Sequence, residues 1–156
     1  MKFSFFYSFI VVCILLIGCD TEDLGDQSAK EEELFTAINN FRSQNSLEPL
    51  KSERYLSIEA RIQSQEMALG QIRYSGFRAA GYDELVIRIN QELGTGEVED
   101  IHQKGAFVIS EVTTAWTTNI RQKNILLGQF THGGTGIYQN EEGESYYSFI
   151  LFNKKE

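Results

Sequence analysis

Residues able to do chemistry are scarce in this chain: two histidines, His102 and His132, and two cysteines, Cys13 and Cys19, in 156 residues. Zinc generally takes three or four His, Cys or carboxylate ligands, and two histidines about thirty positions apart supply too few. No metal site and no cofactor is expected. A serine hydrolase needs a base beside its nucleophile, and no G-x-S-x-G elbow occurs. Gly94-Thr95-Gly96 and Gly133-Gly134-Thr135-Gly136 lack the lysine and the strand-loop-helix setting of a phosphate-binding loop, so they are expected as turns. What remains for an enzyme is a hydrolase-like use of His132 with a nearby carboxylate such as Glu111. His102 lies in the polar stretch Gly94 to Lys104 and is expected to be a solvent-exposed loop residue just ahead of a helix.

The elements that would position any site are organised around the stretch Glu111 to Tyr138, which holds the only tryptophan. Ile109, Val112, Trp116 and Ile120 recur three or four apart, which puts them on one buried helical face with Trp116 at its centre. Asn124-Ile125-Leu126-Leu127 turns the chain back. Gly133, Gly134 and Gly136 then allow backbone angles or close approaches that a Cβ resists, ahead of a strand starting near Ile137. Upstream, Leu34, Phe35, Ile38 and Phe41 mark a first helix from Glu31, stopped at Asn45-Ser46. After the only proline, Pro49, Ser52 is expected to cap a second helix ending at Gly70. Its core face reads Tyr55, Ile58, Ile62 and Leu69, with Leu56, Ala60 and Met67 beside it. Val86, Ile87 and Ile89 suggest a strand edge. Tyr146, Ser148, Ile150 and Phe152 alternate with Tyr147, Phe149 and Leu151, as in a strand, after a hairpin turn at Asn140 to Gly143. Helices followed by an antiparallel hairpin predict an α+β layered domain.

Compartment and charge come from the N-terminal region. Lys2 precedes an uncharged run from Phe3 to Ile17 that is short of the roughly twenty residues a membrane span needs. Leu16-Ile17-Gly18-Cys19 resembles a bacterial lipoprotein signal, which implies cleavage after residue 18, diacylglycerol on Cys19, and a lipid-anchored protein of the bacterial cell envelope. The alternatives are a plain signal peptide with an incidental cysteine and an uncleaved anchor. Residues 19–30, acidic and nearly free of large apolar side chains, are expected as a tether, and residues 31–156 as the folded domain. Cys13 leaves with the leader and Cys19 is lipidated, so the domain has no disulfide. At this size about two thirds of the unfolded surface can be buried, and a core alone suffices. Loss of Lys2 takes the formal net charge from −8 to −9. That sign repels nucleic acid and anionic headgroups, leaving the lipid as the membrane contact and a ligand or surface partner of unknown identity.

Two tracts carry a family resemblance. Ile38 to Ala68 contains N-x-x-R, a Leu-x-Pro-Leu joint, then Leu-x-x-x-Ala and Met-Ala; Trp116, Asn124-Ile125-Leu126, Phe130-Thr131-His132 and Gly134-x-Gly136 follow in order. Together they resemble bacterial CAP domains, the fold of cysteine-rich secretory proteins, antigen 5 and plant pathogenesis-related proteins. The resemblance implies a three-layer α-β-α sandwich and a surface cleft in which many relatives hold two histidines and one or two carboxylates. Here those positions fall on Tyr74, on Ile89 beside Asn90, and on Arg121 or Gln122, depending on whether one counts back from Asn124 or forward from Trp116. Glu92 is an alternative for the family's glutamate. A tyrosine, an isoleucine and an arginine are a poor ligand set for a cation. The resemblance therefore implies a degenerate, non-catalytic cleft with Tyr74, Asn90, Arg121 and His132 as candidate ligand-binding residues. A competing reading has Tyr74 and Arg121 fill the cleft by stacking or cation–π contact, so that no pocket survives.

Overall fold

The structure, a computed structural model, describes residues 22–105 and 108–155. The elements follow in the order α1 (Glu22–Gln44), β1 (Lys51–Ser52), α2 (Arg54–Ala68), α3 (Tyr82–Leu93), β2 (Gly96–Gly105), α4 (Ile109–Thr118), α5 (Ile120–Leu126), β3 (His132–Gln139) and β4 (Ser145–Lys154). One sheet runs β1-β3-β4-β2, with β1 parallel to β3 and the other pairings antiparallel. Residues of β4 alternate between its two faces, and both faces are covered. Tyr147, Phe149 and Leu151 meet Leu34 and Ile38 of α1, Val112 and Trp116 of α4, and Leu126 of α5. Ile150 and Phe152, with Val98 of β2, meet Leu56 and Ala60 of α2 and Leu85 and Ile89 of α3. The domain is thus a three-layer α-β-α sandwich. A strand buried on both sides reads as a nearly continuous apolar run, as β4 does.

Trp116 is fully buried (0% exposed) and stands edge-on to Phe149, their ring centroids 6.2 Å apart. Its helical face is shorter than the spacing predicts. Asn119 has extended backbone and caps α5, its Oδ1 accepting from the N–H groups of Arg121 (3.0 Å) and Gln122 (3.2 Å). The chain changes direction there, and Ile120 ends 78% exposed.

Several expected elements are replaced. The first helix begins at Glu22, so most of the expected tether is helical. Gln27 and Glu31 explain why the extra turns matter: Gln27 Nε2 donates to the Ile137 carbonyl, and Glu31 Oε1 accepts from the Ile137 N–H at 3.1 Å. Those bonds satisfy the free edge of β3 beyond the two-residue β1. Glu31 also pairs with Arg61, so α1 and α2 are clamped together across that edge. Ser52 belongs to β1; the cap of α2 is Glu53, whose carboxylate accepts from the Tyr55 N–H at 3.0 Å. The segment holding Val86, Ile87 and Ile89 is helix α3, and Gly94 to Lys104 forms most of strand β2 rather than a loop. The inward face of α2 carries Leu56, Glu59, Ala60, Gln63, Ser64 and Met67, while Ile58, Ile62 and Leu69 are exposed.

The glycines expected as a turn lie inside β3, which starts at His132. Their role is close approach. A Cβ at Gly134 would fall 2.3 Å from the Ser57 backbone nitrogen, and one at Gly136 would fall 2.1 Å from that of Arg61. Helix α2 therefore rests backbone to backbone on the sheet. On the other side, fully buried Arg42 donates to the carbonyls of Leu126 (2.7 Å), Gly128 (3.0 Å), Phe130 (3.1 Å) and Glu48 (3.2 Å), fastening the α5–β3 connection to α1.

Candidate functional site

A groove of about 350 Å³ opens between α5, the α5–β3 connection and the start of β2, lined by Phe77, Arg78, Glu97, Glu99, Arg121, Asn124, Ile125, Gly128 and Phe130. Its floor is the segment around Phe77, which bridges to Ile101 of β2. That segment is pinned from below. The His102 N–H donates to the Gly76 carbonyl (2.9 Å), and Gln122 Nε2 donates to the Gly76 carbonyl (2.8 Å) and to that of His102 (3.1 Å). The next residue, Arg78, sits in the left-handed region at φ 41°, a conformation that costs a non-glycine residue about 1–3 kcal/mol. It is held there by its backbone N–H on the buried Asp100 carboxylate and by its ion pair with Glu99. The Arg78 guanidinium also lies over Tyr82, 4.8 Å from the ring centre. Above the floor, the Arg121 guanidinium lies 3.6 Å from the Phe77 ring centre, a close cation–π contact.

Beneath the groove is a closed polar network. Asp100, His102, Ser64 and Ser148 are each 0% exposed. Ser64 Oγ lies 3.0 Å from the Gly136 carbonyl and 2.8 Å from Ser148 Oγ, which is 2.9 Å from His102 Nδ1. Gln63 Nε2 donates to Asp100 Oδ2 at 3.1 Å. His102 Nε2 comes within 3.1 Å of the same oxygen but without the alignment of a hydrogen bond. Serine, histidine and aspartate in contact are the parts of a hydrolytic triad, yet with no exposed atom the serine has no path to a substrate carbonyl. The network instead fixes β2 to α2 and β4. Burial pushes the Asp100 carboxyl up, but the contacts from His102, Gln63 and the Arg78 N–H outweigh it and hold the group below the ordinary carboxylate range. A group with a depressed folded-state pKa contributes stability above its unfolded value, about 3.9 for Asp, and loses it as pH falls through the folded value. The denaturant midpoint should therefore drop below about pH 4, and Asp100→Asn should flatten that acid limb while lowering stability at neutral pH. An unaltered acid limb in the variant would show that Asp100 does not carry it.

The four residues expected to share a cleft are dispersed. Tyr74 packs edge-on against Tyr146 (centroids 6.5 Å apart), with the Lys104 ammonium over its ring, and burial raises its hydroxyl pKa. Asn90 closes the α3–β2 turn by accepting from the Gly96 N–H at 2.8 Å. Only Arg121 lines the groove. His132 lies by Thr131, its Nδ1 2.9 Å from the hydroxyl, in a separate depression with Glu53, Leu93, Phe152 and Lys154. Its neighbouring carboxylate is Glu53, which is engaged in capping α2; Glu111 accepts from the Val108 N–H at the start of α4. Stacking by an arginine and a tyrosine does occur, but on Phe77 and with Lys104. Of the two counts for the family's second histidine, Arg121 faces the groove and Gln122 the interior. Ile89 is buried in the core, so no ligand set for a cation assembles around these positions. Among the described residues no group of three or more His, Cys, Asp or Glu is placed to hold a metal ion.

Helices on both faces of a mostly antiparallel sheet, with a groove where the segment after α2 crosses β2 and α5, define a CAP-type domain. The chain belongs to the cysteine-rich secretory protein (CAP) family, whose model matches residues 35–152. Among solved structures it is similar to an outer surface protein from Borrelia burgdorferi, with a TM-score of 0.72 at 14% identity over 83% of this chain and 96% of that one. It is also similar to a cysteine-rich secretory protein of Staphylococcus aureus, with a TM-score of 0.63 at 17% identity over 82% of this chain and 39% of that one. An extracellular SCP-domain protein of Bacillus anthracis matches with a TM-score of 0.62 at 18% identity over 82% and 41%. The chain thus spans less than half the length of the latter two. No curated protein matches it.

Proposed function

We propose that this chain is a non-catalytic CAP module, held at the bacterial cell envelope by a lipid on Cys19, that binds a ligand or partner through the groove over Phe77. The groove carries this reading: an arginine over an aromatic floor, with an Asn124 amide that has no hydrogen-bond partner among the described residues, is built to recognise rather than to transfer protons or hold a metal. The apolar leader and Gly18-Cys19, which lie outside the described residues, support the anchor. The descriptions of the three structural relatives as outer-surface, secretory or extracellular proteins support the location. His132 has no serine or cysteine lining its depression, which weighs against a hydrolase there.

The anchor predicts a mature N-terminus at Cys19 bearing acyl chains, absent in Cys19→Ala. Mass spectrometry that finds an unmodified Cys19, or cleavage elsewhere, would remove it. For the groove, a panel of small apolar amides and carboxylates, N-acetyl-leucine amide among them, is titrated into the ¹⁵N-labelled full-length protein in nonionic detergent. The amide resonances of Arg78, Asn124 and Gly128 should shift together. If no panel member moves them, the groove is not a binding site.

A further inference from the structure

We propose that the groove recognises a short apolar peptide with free termini, gripping its carboxylate at Arg121 and its ammonium at Glu97; this rests on the groove being the binding site. The charges lining it are two arginines and two glutamates, and they are not equivalent. Arg78 and Glu99 form an ion pair and neutralise each other. Neither the Arg121 guanidinium nor the Glu97 carboxylate has an ion-pair partner among the described residues, so each is available to a ligand.

Arg121 is also pre-oriented. Its guanidinium carbon is held 3.6 Å from the Phe77 ring centre, a contact that restrains the side chain, and no ion pair occupies its N–H groups among the described residues. A planar fork of N–H donors matches the two oxygens of a carboxylate, and stacking has already removed part of the side chain's freedom. The same groove is also lined by apolar and amide groups: Ile125 and Phe130 offer contact to aliphatic side chains, and Asn124 can both donate to and accept from a peptide group. The volume, about 350 Å³, lies at the small end of the roughly 300–1,000 Å³ typical of ligand clefts. It suits two or three residues. A ligand with one negative end, one positive end and an apolar peptide body meets every feature of this lining. A purely anionic ligand would leave Glu97 opposed, and a fatty acyl chain would leave both charges without a partner.

Calorimetric titration of trileucine into the purified full-length protein in nonionic detergent tests the assignment, with C-amidated and N-acetylated trileucine as comparison probes. One saturable site is expected for the free tripeptide. C-amidation should weaken binding about tenfold or more, the loss of one charge-assisted pair. Arg121→Gln should weaken the free peptide similarly and leave the amide unaffected. N-acetylation and Glu97→Gln should show the same relation at the other end. Both substitutions are on the surface, and an unchanged thermal unfolding curve separates lost recognition from lost fold. Equal binding of free and blocked peptides overturns the charge assignment. If trileucine gives no heat while neutral amides still shift the groove resonances, the peptide assignment fails and the binding groove stands. Silence from both fails the two readings together.

Discussion

Gly136→Val is expected to yield no folded protein. The first atom of any side chain there meets the Arg61 backbone at 2.1 Å and the Ala60 carbonyl carbon at 2.2 Å, and a helix backbone cannot rotate out of the way. Relief requires lifting α2 from β3, which would open the polar network and the Leu56–Ala60 contacts at once. Overpacking usually costs about 1–3 kcal/mol; a clash with main chain belongs at or above that range, against a total stability of about 5–15 kcal/mol. Even Gly136→Ala and Gly134→Ala should cost about 3 kcal/mol or more. The same strand supplies its own control. A Cβ at Gly133 meets only the ends of the Phe149 and Leu50 side chains, at 3.1 and 3.2 Å, which can shift. Soluble yield and thermal unfolding should rank Gly133→Ala well above Gly134→Ala and Gly136→Ala. Equal melting temperatures for the three would show that α2 is not seated on β3 as described.

Trp116→Ala is the second large loss, about 3–5 kcal/mol, because it empties the largest buried side chain of the α1–α4 layer. Phe149 loses its edge-on partner and, of its ring contacts among the described residues, keeps Phe35, stacked at 6.0 Å. The indole N–H has no acceptor among the described residues, so the side chain's contribution is its packing. Trp116→Phe should consequently cost much less than the alanine change. An unchanged denaturant midpoint in Trp116→Ala would place the indole at the surface.

Apolar spacing made the α1 core face, the Trp116 helix and the β4 alternation legible in the sequence, since each buries apolar side chains. It failed where polar groups are buried. Helix α2 turns Gln63 and Ser64 inward because the sheet opposite offers Asp100, Ser148 and the Gly136 carbonyl, and Glu59 because Arg88 of α3 pairs with it. Strand β2 hides Asp100 and His102 for the same reason, so a stretch that reads as solvated is interior. The β-branched cluster of α3 reads as strand, yet Leu85 and Ile89 are four apart and both buried, the spacing of one helical face. The groove was only partly legible. Arg121 stood out as a departure from a family pattern, whereas Phe77, Glu97 and Asn124 join it through the crossing of three elements distant in sequence. Tyr74, Asn90 and His132, grouped by family pattern, each serve a different local need.

The position of β4 in the sheet has a consequence for synthesis. It is the last element in chain order, yet it lies between β3 and β2 and pairs with both along their lengths. Until residues 145–154 have been made, β2 and β3 have no common neighbour, α2 has only part of its platform, and Trp116 has no Phe149 to pack against. The β3–β4 hairpin is local, but the β2–β4 pairing joins residues 40 to 58 positions apart, and such contacts are slow to form. A nascent chain should therefore emerge as an open, protease-sensitive polymer and acquire its structure in one late step. A stop codon before β4 would act as a loss of the whole domain rather than of one strand.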